Sequence, residues 1–151
     1  MKKKLYIQTN SCKENIFLLC KIILLLNLKY FKIWFYPEVK KKKRKKLLLT
    51  FESKFYKRRA LHPITVYDDK KKYKKVKLFR IPNEINCIFS KNINELNKIT
   101  DSICFYKKKK IEWCLCSVIH ENMIIVNHSK NLETYLKSKK IKYDNNPPSW
   151  W

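Results

Sequence analysis

The chain contains no glycine in 151 residues, and that absence removes whole classes of site. Glycine supplies positive φ and lets a ligand approach the backbone closely. Gly-rich phosphate loops and dinucleotide fingerprints depend on both properties, so a nucleotide-hydrolysing or Rossmann-type enzyme is disfavoured. The length suits one domain, or a domain of about 100 residues carrying an extension. Apolar residues make up 45% of the chain, enough to build a core in spite of the heavy charge.

Lys and Arg number 36 against 12 Asp and Glu, a net charge of +24. An excess of this size repels itself unless an anionic surface neutralises it. A polyphosphate backbone is the natural partner, because each lysine set against a phosphate releases condensed counterions. The richness in Lys, Asn, Ile, Phe and Tyr also matches AT-rich coding, which explains much of the lysine but not the scarcity of acids.

Cysteines at 12, 20, 87, 104, 114 and 116 form no CxxC pair, and without a convincing secretory signal they read as reduced thiols. Cys114, Cys116, His120 and His128 can be assembled into a Cys₂His₂ set, but the spacing is not a common zinc pattern. No metal and no cofactor are expected. The most apolar stretch, "NIFLLCKIILLLNLKYFKIWFY", is interrupted by Lys21, Asn27, Lys29 and Lys32. A membrane span needs about 20 mostly apolar residues, so a buried amphipathic helix is expected in place of a span, with a signal anchor as the lesser alternative.

Along the chain, "KLYIQT" alternates as a first strand. In "SCKE", Ser11 and Glu14 form a capping box that opens a helix reaching to about Phe35, ended by Pro37. "KKKKRKK", Lys40 to Lys46, reads as an exposed loop or edge strand, with "LLLTF" as a strand after it. "KFYKRR" interleaves aromatics with cations, a pattern that can grip phosphates and stack bases. "PITVY", a turn at Asp68 to Lys72 and "YKKVKLFRI" read as a hairpin, with Val76 and Leu78 on one face and Lys75 and Lys77 on the other. Pro82 starts a second helix carrying Ile85, Ile88, Phe89, Ile93 and Leu96. Beyond residue 101, "IEWCLC" and "MIIVN" read as strands about an "IHEN" turn, and "SKNLETYLKSKK" reads as a short helix.

"WFYPEV", "HPITVY", "KVKLFRIPNEI" and the closing "YDNNPPSWW" together resemble the motif progression and tail of a mitochondrial family. That family joins a large-subunit ribosomal protein (protein forty-three), a small-subunit relative and an accessory subunit of respiratory complex I, and the large-subunit member is the nearest match. The family's glycine-containing turn after the first strand is here "TNSCKEN", and Asp68-Asp69 stand where Asn-Gly is usual.

The resemblance implies an α/β, thioredoxin-like unit (strand-helix-strand-hairpin-helix) over residues 1–100, with a basic insertion near 40–59 and a C-terminal α+β extension over 101–151. It implies a mitochondrial location and a structural role in the ribosome, without catalysis, small-molecule substrate or membrane partner. The expected partners are rRNA and neighbouring ribosomal proteins. The residues expected on RNA are Lys40, Lys41, Lys42, Lys43, Arg44, Lys45 and Lys46, then Lys57, Arg58 and Arg59, then Lys70, Lys71, Lys72, Lys74, Lys75 and Lys77. Pro37, Pro63, Tyr67 and Pro82 are expected to shape the backbone. The alternatives are a complex I accessory subunit, a thiol oxidoreductase using Cys12, a hydrolase using His62 or His120, and a small membrane-associated protein.

Overall fold

The computed structural model describes residues 3–51, 55–61, 73–108 and 112–149, with 55–61 and 73–75 described by their backbone. The fold is mixed α/β. Seven strands form one sheet in the order β1-β7-β6-β5-β2-β4-β3, and every pair is antiparallel. The strands are β1 (Lys4–Gln8), β2 (Tyr30–Phe35), β3 (Phe55–Leu61), β4 (Tyr73–Arg80), β5 (Thr100–Tyr106), β6 (Leu115–Val118) and β7 (Met123–Asn127). The helices are α1 (Cys12–Leu25), α2 (Lys41–Leu49), α3 (Ile85–Lys91), α4 (Ile93–Ile99) and α5 (Lys130–Ser138), with a 3₁₀ turn at Ile119–Glu121.

Alternation along the strands sorts the side chains between the two faces of the sheet. Leu5, Ile7, Phe31, Ile33, Ile103, Phe105, Leu115, Ile124 and Val126 point to one face, where they pack with buried residues of all five helices. Phe31 sits at the centre of this core, with ring centroids 5.1 Å from Phe51, 5.6 Å from Phe79 and 6.2 Å from Phe105. The opposite face carries a second cluster, Tyr6, Leu78, Cys104, Tyr106, Cys116, Val118, Met123 and Ile125, joined by Trp113 from the β5–β6 connection. None of the described helices contributes to that cluster. β5 lies in the middle of the sheet and is buried along almost its whole length. The segment from residue 101 onward thus supplies strands that lie between β1 and β2.

The long first helix is shorter than the sequence reading has it. α1 opens as expected, with the Ser11 side chain accepting the Glu14 amide at 3.1 Å, although Glu14 reaches back to the Asn10 amide and not to that of Ser11. It ends at Leu25 because Asn27 adopts a left-handed φ of 52°. The Leu28 amide then bonds the Ile23 carbonyl and the Asn27 amide bonds the Leu24 carbonyl, which closes the helix in a Schellman motif. A chain without glycine places asparagine here, the non-glycine residue best suited to that conformation. The residues after it, "YFKIWF", form β2, so Pro37 follows a strand and does not end a helix.

Three further expectations change. The Lys40–Lys46 run is neither loop nor edge strand: it lies at the start of α2, and "LLL" forms that helix's last turn. The hairpin is present, but the strand paired with β4 is Phe55–Leu61, with Leu61 opposite Tyr73; "PITVY", with His62, Pro63 and Tyr67, lies outside the described residues. Pro82 precedes the second helix, which starts at Ile85 and is divided into α3 and α4 at Asn92. β1, β7 and α5 form where the sequence places them, whereas β6 is Leu115–Val118, later in the chain than the expected strand over 111–116.

Candidate nucleic-acid interface

α2 gathers the densest charge in the described structure. It has nine residues, too few to be stable alone in water, and its first turn carries lysines where the helix dipole favours anions. Tertiary contacts must hold it. Leu47 is buried in the main core, with Phe51 just beyond the helix. The Arg44 guanidinium turns inward, donating from Nε to the Val39 carbonyl at 2.7 Å. Its terminal nitrogen donates to the carbonyls of Pro37 at 2.8 Å and Tyr36 at 3.1 Å, and Cζ lies 5.8 Å from the Phe35 ring. Arg44 thus staples the turn between β2 and α2.

The consequence is that Lys41, Lys42, Lys43, Lys45 and Lys46, with Lys40 ahead of them, are all exposed. Ion pairs among the described residues lie elsewhere, at His120–Glu121, His128–Glu133 and Lys137–Glu133. Of the other expected RNA-contacting residues, Lys57, Arg58 and Arg59 lie on β3, and Lys74, Lys75 and Lys77 on β4. Arg58 is paired with Val76 and Arg59 with Lys75 in the ladder. Lys77 is exposed. Lys70, Lys71 and Lys72 lie outside the described residues.

β2 presents a group that the sequence reading does not single out. Tyr30, Lys32 and Trp34 alternate with the buried Phe31 and Ile33 and so stand on the helix-free face. All three are half-buried, and the Lys32 ammonium lies 5.5 Å from the Trp34 ring centroid. Burial lowers the Lys32 pKa, with the positive charges of Arg44 and Lys77 adding to the effect. Read at a period of two, "YFKIWF" separates Tyr30, Lys32 and Trp34 from Phe31, Ile33 and Phe35, and that division is the signal that could have revealed this strip.

The thiols and imidazoles are dispersed. Cys12 is the first residue of α1, a position that favours a thiolate, yet burial raises its pKa. It lines a groove of about 620 Å³ with Lys13, Asn86, Ser90, Asn94 and Asn97, and the groove's lining includes no carboxylate or imidazole. Cys104 and Cys116 face each other across β5 and β6 with their sulfurs 3.8 Å apart, and burial pushes the Cys104 thiol up. His128 bonds Glu133 at 2.8 Å and His120 lies against Tyr36. Among the described residues no three His, Cys, Asp or Glu side chains gather as a metal site. No described helix is long and apolar enough to cross a membrane.

Comparison with known proteins finds no family model that matches the chain, and no curated relative or solved structure similar to it.

Proposed function

We propose that this chain is a non-catalytic RNA-binding protein and, more specifically, a structural constituent of the mitochondrial ribosome, of its large subunit, in contact with rRNA and neighbouring proteins. The observation that carries the RNA reading is α2: five exposed lysines on nine residues, held by Leu47 and by an Arg44 that faces inward. Fixed cations on a rigid element suit a phosphate backbone, which they would bind with strong salt dependence and little sequence readout.

The ribosomal assignment rests on the sequence resemblance. The finer reading of the fold, a thioredoxin-like unit, rests on the expected order strand, helix, strand, hairpin, helix; the elements run β1, α1, β2, α2, β3–β4 and α3, so α2 would be a helix added between the second strand and the hairpin. β1 and β2 run in the same direction but are separated by β7, β6 and β5, so that unit would be one opened by insertion of the C-terminal strands.

The test is fractionation of the native protein with identification of co-purifying RNA. Sedimentation with large ribosomal subunits in an RNA-dependent manner is expected. Sedimentation with respiratory membranes after nuclease treatment would favour the complex I accessory subunit and overturn the ribosomal reading.

A further inference from the structure

From Ile16 onward α1 is apolar almost all round, and the core uses only part of that surface. Ile16, Leu19, Ile22 and Ile23 are buried in the main core, yet Phe17 is 59% exposed, Leu24 73% and Leu25 40%. These are three of the four exposed large apolar side chains among the described residues, so they form a patch and not the scatter of single residues that any surface carries. At about 3.6 residues per turn, Phe17, Lys21 and Leu24 fall on one ridge of the helix, with Phe17 and Leu24 about 10 Å apart along it. A helix with apolar residues on all sides is normally covered on all sides.

The patch is a ridge between two grooves, and Phe17 lines both. One groove, against α3 and α4, includes Ile16 and Ile93; the other, against α5 and the residues after it, includes Leu18, Tyr135 and Ile141, and each is about 620 Å³. Helices pack by setting ridges into grooves of this kind. A flat bilayer surface fills neither groove, whereas the side chains of a second helix laid against α1 reach into both. The charge around the ridge is positive. Lys13, Lys21 and Lys139 border it, all exposed, and the Lys21 ammonium lies 5.4 Å from the Phe17 ring centroid. The two grooves hold one carboxylate, that of Glu14, which already accepts the backbone and side-chain amides of Asn10.

A second copy of this chain is a poor occupant, because it would set like charges together on a molecule of net charge +24. An apolar ridge with lysines at its borders is complemented by an apolar stripe with carboxylates at its borders. We infer that the outward face of α1, centred on Phe17 and Leu24, is the docking surface for a helix of a neighbouring protein, one whose apolar stripe is flanked by Asp and Glu. The inference rests on the reading above that the chain sits among neighbouring proteins, and it assigns the side of the molecule that meets them, as α2 is the side that meets RNA.

The test places a photoreactive benzophenone amino acid at position 17, at position 24 or, as a control, at position 42 of the full chain in its native assembly, with folding checked by circular dichroism and adducts identified by mass spectrometry. Positions 17 and 24 should join one and the same neighbouring protein, within a segment that has apolar residues at helical spacing and Asp or Glu beside them, while position 42 should join RNA. Loss of an aromatic anchor at the centre of an interface weakens binding roughly thirtyfold, so Phe17→Ala should cut the adduct at position 24 by about tenfold or more, and Lys21→Glu should also reduce it. Both replaced side chains are exposed, so the fold should survive. Adducts with RNA, with lipid or with a second copy of this chain would overturn the inference. So would adducts scattered over many proteins, a joined segment without acidic residues, no adduct at either position, or an adduct at position 24 that Phe17→Ala leaves unchanged. RNA joined at position 42 in any of those cases would leave the RNA-binding reading intact, and no RNA there would overturn that reading whatever the ridge joins.

Discussion

Arg44 is the residue at which the structure and a simple charge argument part most clearly, and its replacement by alanine separates them. As one of seven consecutive cations it looks like a phosphate ligand, but its guanidinium serves the carbonyls of Tyr36, Pro37 and Val39. A hydrogen bond from a charged donor contributes about 1.5–3 kcal/mol net. The three share one side chain and at least one lies at the surface, so their sum is not additive; about 2 kcal/mol is a reasonable loss for Arg44→Ala. With a urea m-value of about 1–3 kcal/mol/M for a small domain, the midpoint of unfolding should fall by roughly 0.7–2 M.

Lysine at this position should recover little, because one ammonium cannot present the planar fork that reaches three carbonyls. Lys42→Ala is the matched control: it should leave the urea midpoint in place and reduce the salt dependence of RNA binding. The reasoning is refuted if Arg44→Ala leaves the midpoint unchanged and weakens RNA binding as Lys42→Ala does.

Other expectations follow from single sites. Asn27→Ala forces a Cβ into the left-handed region without a side chain suited to it and should cost about 1 kcal/mol in urea unfolding, whereas Asn27→Gly should be neutral or stabilising. Glu133 is held at a pKa of about 2, below its ordinary 4.5, by hydrogen bonds from His128, Lys137 and Tyr143. A depressed carboxylate contributes stability that is present above pH 4.5 and lost as the pH falls toward 2, so Glu133→Gln should flatten the acid limb of the stability profile over that window. Cys12, whose thiol burial pushes up, should be alkylated more slowly at neutral pH than the exposed Cys87, as read by peptide mass spectrometry. Faster labelling of Cys12 would reopen a thiol-based activity.

The parts of the fold legible in the sequence are those where one local signal dominates. β1 and β7 alternate or run as short apolar blocks between turn residues, and Ser11 and Ser129 both cap helices through their side chains. The first helix is overextended because the aliphatic run of α1 passes into the aromatics of β2 through only four residues, of which Asn27 and Lys29 are polar and neither is a usual helix breaker. The break is made by Asn27, adopting a conformation usually left to glycine. α2 is hidden for the opposite reason: its helical state depends on Leu47 reaching the core and on Arg44 folding back onto the carbonyls of the preceding turn, which charge density does not reveal. β5 owes its place in the sheet to β6, the next strand, on one side and to β2, far from it in sequence, on the other. The exposed lysines of the candidate site are readable from composition, while the inward turn of Arg44 and the strip on β2 emerge only once the register places side chains on opposite faces.

The salt dependence of RNA affinity tests the central claim most directly. If the α2 lysines alone neutralise phosphates on a single strand, the logarithm of the association constant should fall with the logarithm of salt concentration at a slope of roughly −3.5, and replacing those five lysines by glutamine should bring the slope close to zero. A wild-type slope near zero, or one that those replacements leave unchanged, would contradict the account.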